Sequence, residues 1–402
     1  MQRSRRSKRF PHYLSLTVLI TIIALTFYLN YTSLKQSTNH SPLPVPQTLL
    51  PAPPPQPPAT LKSTIAYAVS VTSCPNADMY QGASVLAHSI KLAHSQSTLH
   101  PHYKLYVFLH SKATLNPGNC EKFFASLNYD VKVVPTPIEI SQVSDSNLRE
   151  KLPTNGCCGE RELIKFYAYT LTEHDVVVHL DLDTLVRRPM DDLFSRIKNG
   201  ESDAFYTFDY NMVNPGKQPG VQGGFLVLRP EKKVFDDINQ IVLTETFSAG
   251  KGWGGSGVGG FYGGMTFQGL VPYYYLIKQP NKGEEVNHCE YNNMVDNPRT
   301  KNGLCRTGEE QCEDCREKLL IDVFTIHYTI CQKPWLCHSF SPSGGPPYSN
   351  LCGQFHEEWF RIRKDMEIEN ETWDDKLYSG NKYFGFCKGS GAKAYIAIEK
   401  KA

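Results

Sequence analysis

Nine of the twenty residues from 41 to 60, SPLPVPQTLLPAPPPQPPAT, are proline. Proline fixes φ and has no backbone N–H, so this stretch can join neither a helix nor a sheet. It reads as an extended polyproline-type spacer, with an SH3-type ligand as the competing reading. Whatever folds into a core must therefore come after it. Before it, residues 10–34 carry no Lys, Arg, Asp or Glu, and residues 13–29, YLSLTVLITIIALTFYL, are apolar almost throughout. That length sits at the short end for a bilayer helix. Arg3, Arg5, Arg6, Lys8 and Arg9 precede it with no acid among them, and Lys35 alone follows soon after. The asymmetry predicts a cytosolic N-terminus. A cleaved signal peptide is the alternative, but NYTSL after the span offers no small-x-small site. The expected organisation is a cytosolic tail over 1–9, a transmembrane signal-anchor over 10–34, a proline-rich stem over 35–62 and a luminal domain over 63–402. This is a single-pass type II architecture, expected in the Golgi membrane.

Five of the 42 basic residues are in that tail, so acids outnumber bases over the rest, 40 to 37. The bulk of the chain is therefore not a basic nucleic-acid binder. All twelve cysteines lie between Cys74 and Cys387. An even number in a secretory context reads as disulfides, whose pairing spacing alone cannot give. Cys289, Cys305, Cys312 and Cys315 form a tight set, for which a zinc knuckle is the alternative to disulfides. Asn370 in NET is a candidate glycan acceptor.

From residue 64 the pattern alternates. TIAYAVSV reads as a strand, and Ala83, Leu86, Ile90 and Ala93 then fall on one helix face. YKLYVFL and DVKVVPT read as further strands, with a short helix through 123–127 between them. A helical pattern over 160–171 precedes the apolar run 176–180, a fourth strand. Such alternation predicts an α/β fold with a parallel, doubly wound sheet, whose ligands sit beyond the carboxyl ends of the strands. DAFYTFD and GGFLVLRP read as later strands, with a helix over 232–243. The glycine-rich tract 249–264, AGKGWGGSGVGGFYGG, matches G-x-G-x-x-G by formula. It lacks the strand-to-helix context of a dinucleotide site and reads as a mobile loop or lid.

The fourth strand runs into HLDLDTLVRRPMDDLF. A buried carboxylate is costly unless paired or metal-bound. Residues i and i+2 of a strand share a face, so Asp181 and Asp183 can converge on one cation. Carboxylates suit Mn²⁺ and Mg²⁺, which commonly bridge protein oxygens to a diphosphate. The competing reading is a turn acid followed by a helix cap.

VVVHLDLDTLVRRPMDDLF resembles the D-x-D segment of the glycogenin-like, family-eight retaining glycosyltransferases. IHYTICQKPW, residues 326–335, resembles that family's H-F-x-G-x-x-K-P-W block. VQGGFLVLRP is similar to the family strand carrying N-S-G-V, and GASVLAHSI to its opening unit. The similarity is scattered over residues 64–335. It implies a GT-A fold, Rossmann-like, that takes Mn²⁺ (or Mg²⁺) and a UDP-sugar donor and moves a hexose to a glycan or glycoprotein acceptor. It further implies metal ligation by Asp181, Asp183 and His327, and diphosphate contact by Lys333. Lys165 would lie near the donor, Thr72 and Tyr80 at the base, and Gln222 and Gln268 at the transferred sugar. Departures fall at Ile330, where the family motif has glycine, at Gln222, where asparagine is usual, and at Phe267, where an aspartate commonly faces the sugar. A cysteine-rich insert over 283–318 also departs from the family. Glycogenin's self-glucosylation is not implied, because no tyrosine matches its acceptor. Same-face attack is the expected route to retention. An inverting transferase and a catalytically degenerate luminal glycan-binding or scaffold protein are the alternatives.

Overall fold

A computed structural model describes residues 65–74, 77–113, 117–338, 350–380 and 382–398. The expected tail, membrane span and stem lie outside the described residues. Among the described residues no helix is long and apolar enough to cross a membrane.

The central sheet is built first from β1 (Ile65–Val71), β2 (Tyr103–His110), β3 (Tyr129–Val134) and β4 (Val176–Leu180). These four are parallel neighbours in the order β3-β2-β1-β4. β1 is apolar along its length because both its faces are covered. Its residues divide by period two between two cores. Ile65, Tyr67 and Val69 face one, with Leu86 and Ile90 from α1 (Ala77–Gln96), Phe124 from α2 (Pro117–Ser126), and Leu193 and Ile197 from α3 (Asp191–Asn199). Ala66 and Ala68 face the other, with Phe166, Ile238 from α4 (Lys232–Thr244) and Leu270 from α5 (Phe267–Tyr273). The doubly wound half of the expectation is thus met.

The later strands correct the expectation of an all-parallel sheet. β7 (Gly220–Leu228) runs antiparallel to β4, and β6 (Ala204–Asp209) runs antiparallel to β7. β10 (Gly283–Glu285) completes seven strands beside β6. The fold is mixed α/β with a parallel-rich centre.

The glycine-rich tract is anchored at Trp253 and Val258, which are buried, while residues 249–251 and 254–257 are exposed. It carries β9 (Gly252–Trp253), paired with β8 (Phe247–Ser248). Trp253 is fully buried, and its indole Nε1 donates to Gly264 O at 2.8 Å. Glycine here lets backbone close around a large aromatic ring.

Five disulfides join Cys74–Cys120, Cys289–Cys315, Cys305–Cys312, Cys331–Cys352 and Cys337–Cys387. The tight cysteine set of the insert is therefore two disulfides and not a zinc knuckle. Cys157 and Cys158 are left as thiols, which the even count did not foresee.

Candidate metal centre

β4 ends at Leu180, so the two aspartates do not share a strand face. They converge through a turn. Thr184 donates from both its N–H (3.2 Å) and its hydroxyl (2.8 Å) to Asp181 O, folding Asp-Leu-Asp-Thr back on itself. The chain then leaves as β5 (Thr184–Val186), three residues too short to be seen as a periodic strand. β11 (Thr325–His327) pairs antiparallel with β5, setting His327 opposite Thr184. Tyr328 N–H donates to Asp183 O at 2.9 Å and locks that register. This two-strand clasp is how a histidine 144 positions beyond Asp183 reaches the acids.

Asp181, Asp183 and His327 each offer one ligand atom, all within 4.8 Å of one another. His327 Nε2 lies 3.4 Å from Asp183 Oδ1, and its buried Nδ1 has no hydrogen-bond partner. His327 stands against Gly224 on β7: a Cβ there would be 2.4 Å from its Cε1. Two carboxylates and an imidazole form a hard-to-borderline donor set that fits Mn²⁺ or Mg²⁺.

Each acid also has its own lysine. Lys165 Nζ donates to Asp181 Oδ1 and to Gly223 O, both at 2.9 Å. Lys165 sits on the 3-10 helix Gly159–Thr170, the element expected over 160–171. The ammonium is buried, and burial would lower its pKa. Asp181 and Glu162 outweigh this and hold it above the usual lysine range. Lys333 Nζ donates to Asp183 and to Tyr328 O. Burial would raise the Asp183 carboxyl, but His327 and Lys333 together hold it well below the ordinary carboxylate range.

Glu162 was missed by sequence reasoning. Its Oε1 lies 3.6 Å from Lys165 Nζ, and its Oε2 accepts from Thr266 Oγ1 at 2.5 Å. The Glu-x-x-Lys spacing on one helix was the available signal. The result is a buried chain running Thr266, Glu162, Lys165, Asp181.

Of the remaining expected residues, Gln268 and Gln222 lie by this centre. Gln268 is the second residue of α5, with its Cγ and Glu162 Oε1 each 3.7 Å from the point where a Cβ on Gly223 would sit. Gln222 Oε1 accepts from Gly224 N–H at 2.6 Å and from Asn292 Nδ2 at 3.4 Å. Phe267 is fully buried against Phe166, 5.1 Å between ring centroids, so it fills core rather than facing a ligand. Thr72 lines a cleft with Cys157 and Cys158. Tyr80 lies near the disulfide that follows β1. Its ring packs 3.9 Å from Phe123, and its hydroxyl lies 3.9 Å from both sulfurs of Cys74–Cys120.

No protein-family model and no curated protein matches the chain. Among solved structures it is similar to the bifunctional glycosyltransferase WbbM, at 12% identity and a TM-score of 0.42, over 78% of this chain and 52% of that one. The chain thus spans about half the length of that protein. An active-site mutant of LgtC matches at 13% identity and a TM-score of 0.40, over 75% of this chain and 95% of that one. Mouse xyloside xylosyltransferase 1 matches at 11% identity and a TM-score of 0.39, over 67% and 98%. These overlaps are low and assign no function by themselves.

Proposed function

We propose that the chain is a metal-dependent glycosyltransferase that moves a hexose from a UDP-sugar to a glycan or glycoprotein acceptor. The observation that carries this reading is the convergence of Asp181, Asp183 and His327 beyond the carboxyl end of β4, with Lys165 and Lys333 beside them. Ligands of parallel-rich sheets bind in that position. Mn²⁺ or Mg²⁺, held by the two carboxylates and the imidazole, would supply positive charge beside the departing diphosphate.

The chain's own groups do the rest. Lys333 is one-third exposed and reaches Asp183 from a turn, so its ammonium can exchange that carboxylate for a diphosphate oxygen. Lys165 orients Asp181, Glu162 pairs with Lys165, and Thr266 holds Glu162 in turn. Gln268 and Gln222 are the amides available to sugar hydroxyls, and Thr72 marks the end for the base. In the reaction the bond from sugar to diphosphate breaks and the acceptor oxygen bonds on the same face. The acceptor proton passes to the departing diphosphate. Glu162 is tied to both Lys165 and Thr266, which leaves it a positioning role and favours same-face attack over a covalent intermediate.

The same reading places residues 10–34 across the Golgi membrane and the folded domain in the lumen, where disulfides persist. Release of UDP from a panel of UDP-sugars, with and without Mn²⁺, tests the enzyme. Wild type should release UDP only with the metal, and Asp183→Asn should not release it at all. Equal, metal-independent release by both proteins would remove the proposal. The anomeric configuration of the product, read by NMR, tests retention.

A further inference from the structure

Cys157 and Cys158 stand apart from the ten cysteines held in disulfides. They occupy the middle of Gly-Cys-Cys-Gly, and both glycines have positive φ, 66° at Gly156 and 60° at Gly159. A Cβ at Gly159 would fall 2.1 Å from Pro153 O. The turn is thus fixed by its flanks, and it presents two thiols to a cleft of about 400 Å³ lined also by Thr72, Ser73 and Arg161. Cys158 is also the residue from which the 3-10 helix bearing Glu162 and Lys165 starts.

Two features make this a place for external chemistry. Adjacent Cα atoms across a trans peptide are about 3.8 Å apart, below the ordinary disulfide range of about 4.4–6.8 Å, so closure between neighbours is disfavoured. The two thiols are also unequal. Cys157 is exposed and Cys158 half-buried, and a hydrogen bond from Cys157, with a further one from Thr72, outweighs burial and draws the Cys158 thiol down, while the Cys157 thiol is pushed up. The thiolate is the reactive form. Arg161 supplies a cation for a carboxylate-bearing partner.

We infer that Cys158 is a thiol–disulfide exchange site for a small peptide disulfide of the glutathione class, and that the mixed disulfide fills the cleft at Thr72. Cys158 sulfur attacks one sulfur of the incoming disulfide. A new S–S bond forms, the old one breaks, and one glutathione leaves as thiolate and takes a proton from water. No net oxidation occurs. Its consequence for donor binding rests on the reading that the nucleotide base lies at Thr72.

The full chain, with its disulfides intact, is treated with glutathione disulfide and followed by intact mass and peptide mapping. One adduct on the 157–158 peptide is expected. It should be lost in Cys158→Ser and kept in Cys157→Ser, whose hydroxyl preserves the hydrogen bond. Saturating UDP with Mn²⁺ should slow its formation several-fold. No adduct, an adduct elsewhere, loss in Cys157→Ser alone, or a closed Cys157–Cys158 disulfide in the purified chain would overturn the inference. An adduct at Cys158 whose rate is indifferent to UDP keeps the exchange site and overturns the placement of the base at Thr72.

Discussion

Gly224 decides how close His327 can stand to the acids. Even a methyl group there would meet the imidazole at 2.4 Å at Cε1 and 2.8 Å at Nδ1. Gly224→Ala is therefore expected to push the ring out of line while leaving the fold intact. Mn²⁺ affinity, read by calorimetry, should fall about tenfold, the size of effect seen when a ligand's support is disturbed. Unchanged affinity would mean that His327 is not a ligand. Asp183 changes its meaning between sequence and structure. The sequence suggests two crowded carboxylates, so that removing one would relieve repulsion. In the structure Lys165 serves Asp181, and Lys333 with His327 serves Asp183. Asp183→Asn should therefore leave Lys333 without its carboxylate and lower the melting temperature of the metal-free protein; a rise would restore the crowding picture. The acid pair was legible because carboxylates at a strand end need a cation. Glu162 was not, because a buried acid on a helix looks like any solvated one until its partners are known.

At the scale of elements, the clasp of β5 and β11 needs support from outside. α6 (Asn350–Glu369) gives it, through Arg187 on the chain just after β5. Arg187 Nε donates to Glu358 Oε1 at 3.3 Å, and its guanidinium also donates to Val323 O at 3.1 Å, just ahead of β11. Glu358 is largely buried. Burial would raise its pKa, but Arg361 and Arg187 bring it below the ordinary glutamate value. A folded value below the unfolded one, about 4.3, means stability fully present above the unfolded value and lost as pH falls through the folded one. Glu358→Gln should therefore cost about 1–3 kcal/mol at neutral pH. The gap from wild type should close toward pH 3 in denaturant melts; a gap that widens on acidification would contradict the assignment. Strands β1 to β4 were legible because burial on both faces makes them long apolar runs. β5 and β11 were not, since three residues show no period and their pairing is decided 140 residues apart. The anchoring of the glycine-rich tract at Trp253 was not legible, because composition reports backbone freedom and says nothing of a tryptophan around which the backbone closes.

Over the whole molecule, the centre exists only when distant segments have met. Asp181 and Asp183 come from the parallel half of the sheet, His327 and Lys333 from the chain that returns after the disulfide-bonded insert. The parallel half could be read from strand and helix alternation; the antiparallel β6 and β7 could not, because apolar runs carry no sign of direction. A ligand that binds only the assembled centre adds its binding free energy to folding, about 2.7 kcal/mol at a hundredfold excess over Kd. Mn²⁺ should therefore raise the melting temperature of wild type, and His327→Ala should lose most of that rise. Lys333 should behave in the opposite way. In the metal-free protein its ammonium already occupies Asp183, so a cation entering the centre must displace it. Lys333→Ala removes that competitor. It should bind Mn²⁺ alone more tightly than wild type and show a larger metal-dependent rise, yet bind UDP more weakly in the presence of Mn²⁺ because the diphosphate has lost its cation. Melting curves with Mn²⁺ alone, and UDP titrations at saturating Mn²⁺, separate the two effects. If Lys333→Ala loses the Mn²⁺-dependent rise as His327→Ala does, Lys333 supports the metal rather than competing with it. Its assignment to the diphosphate then falls.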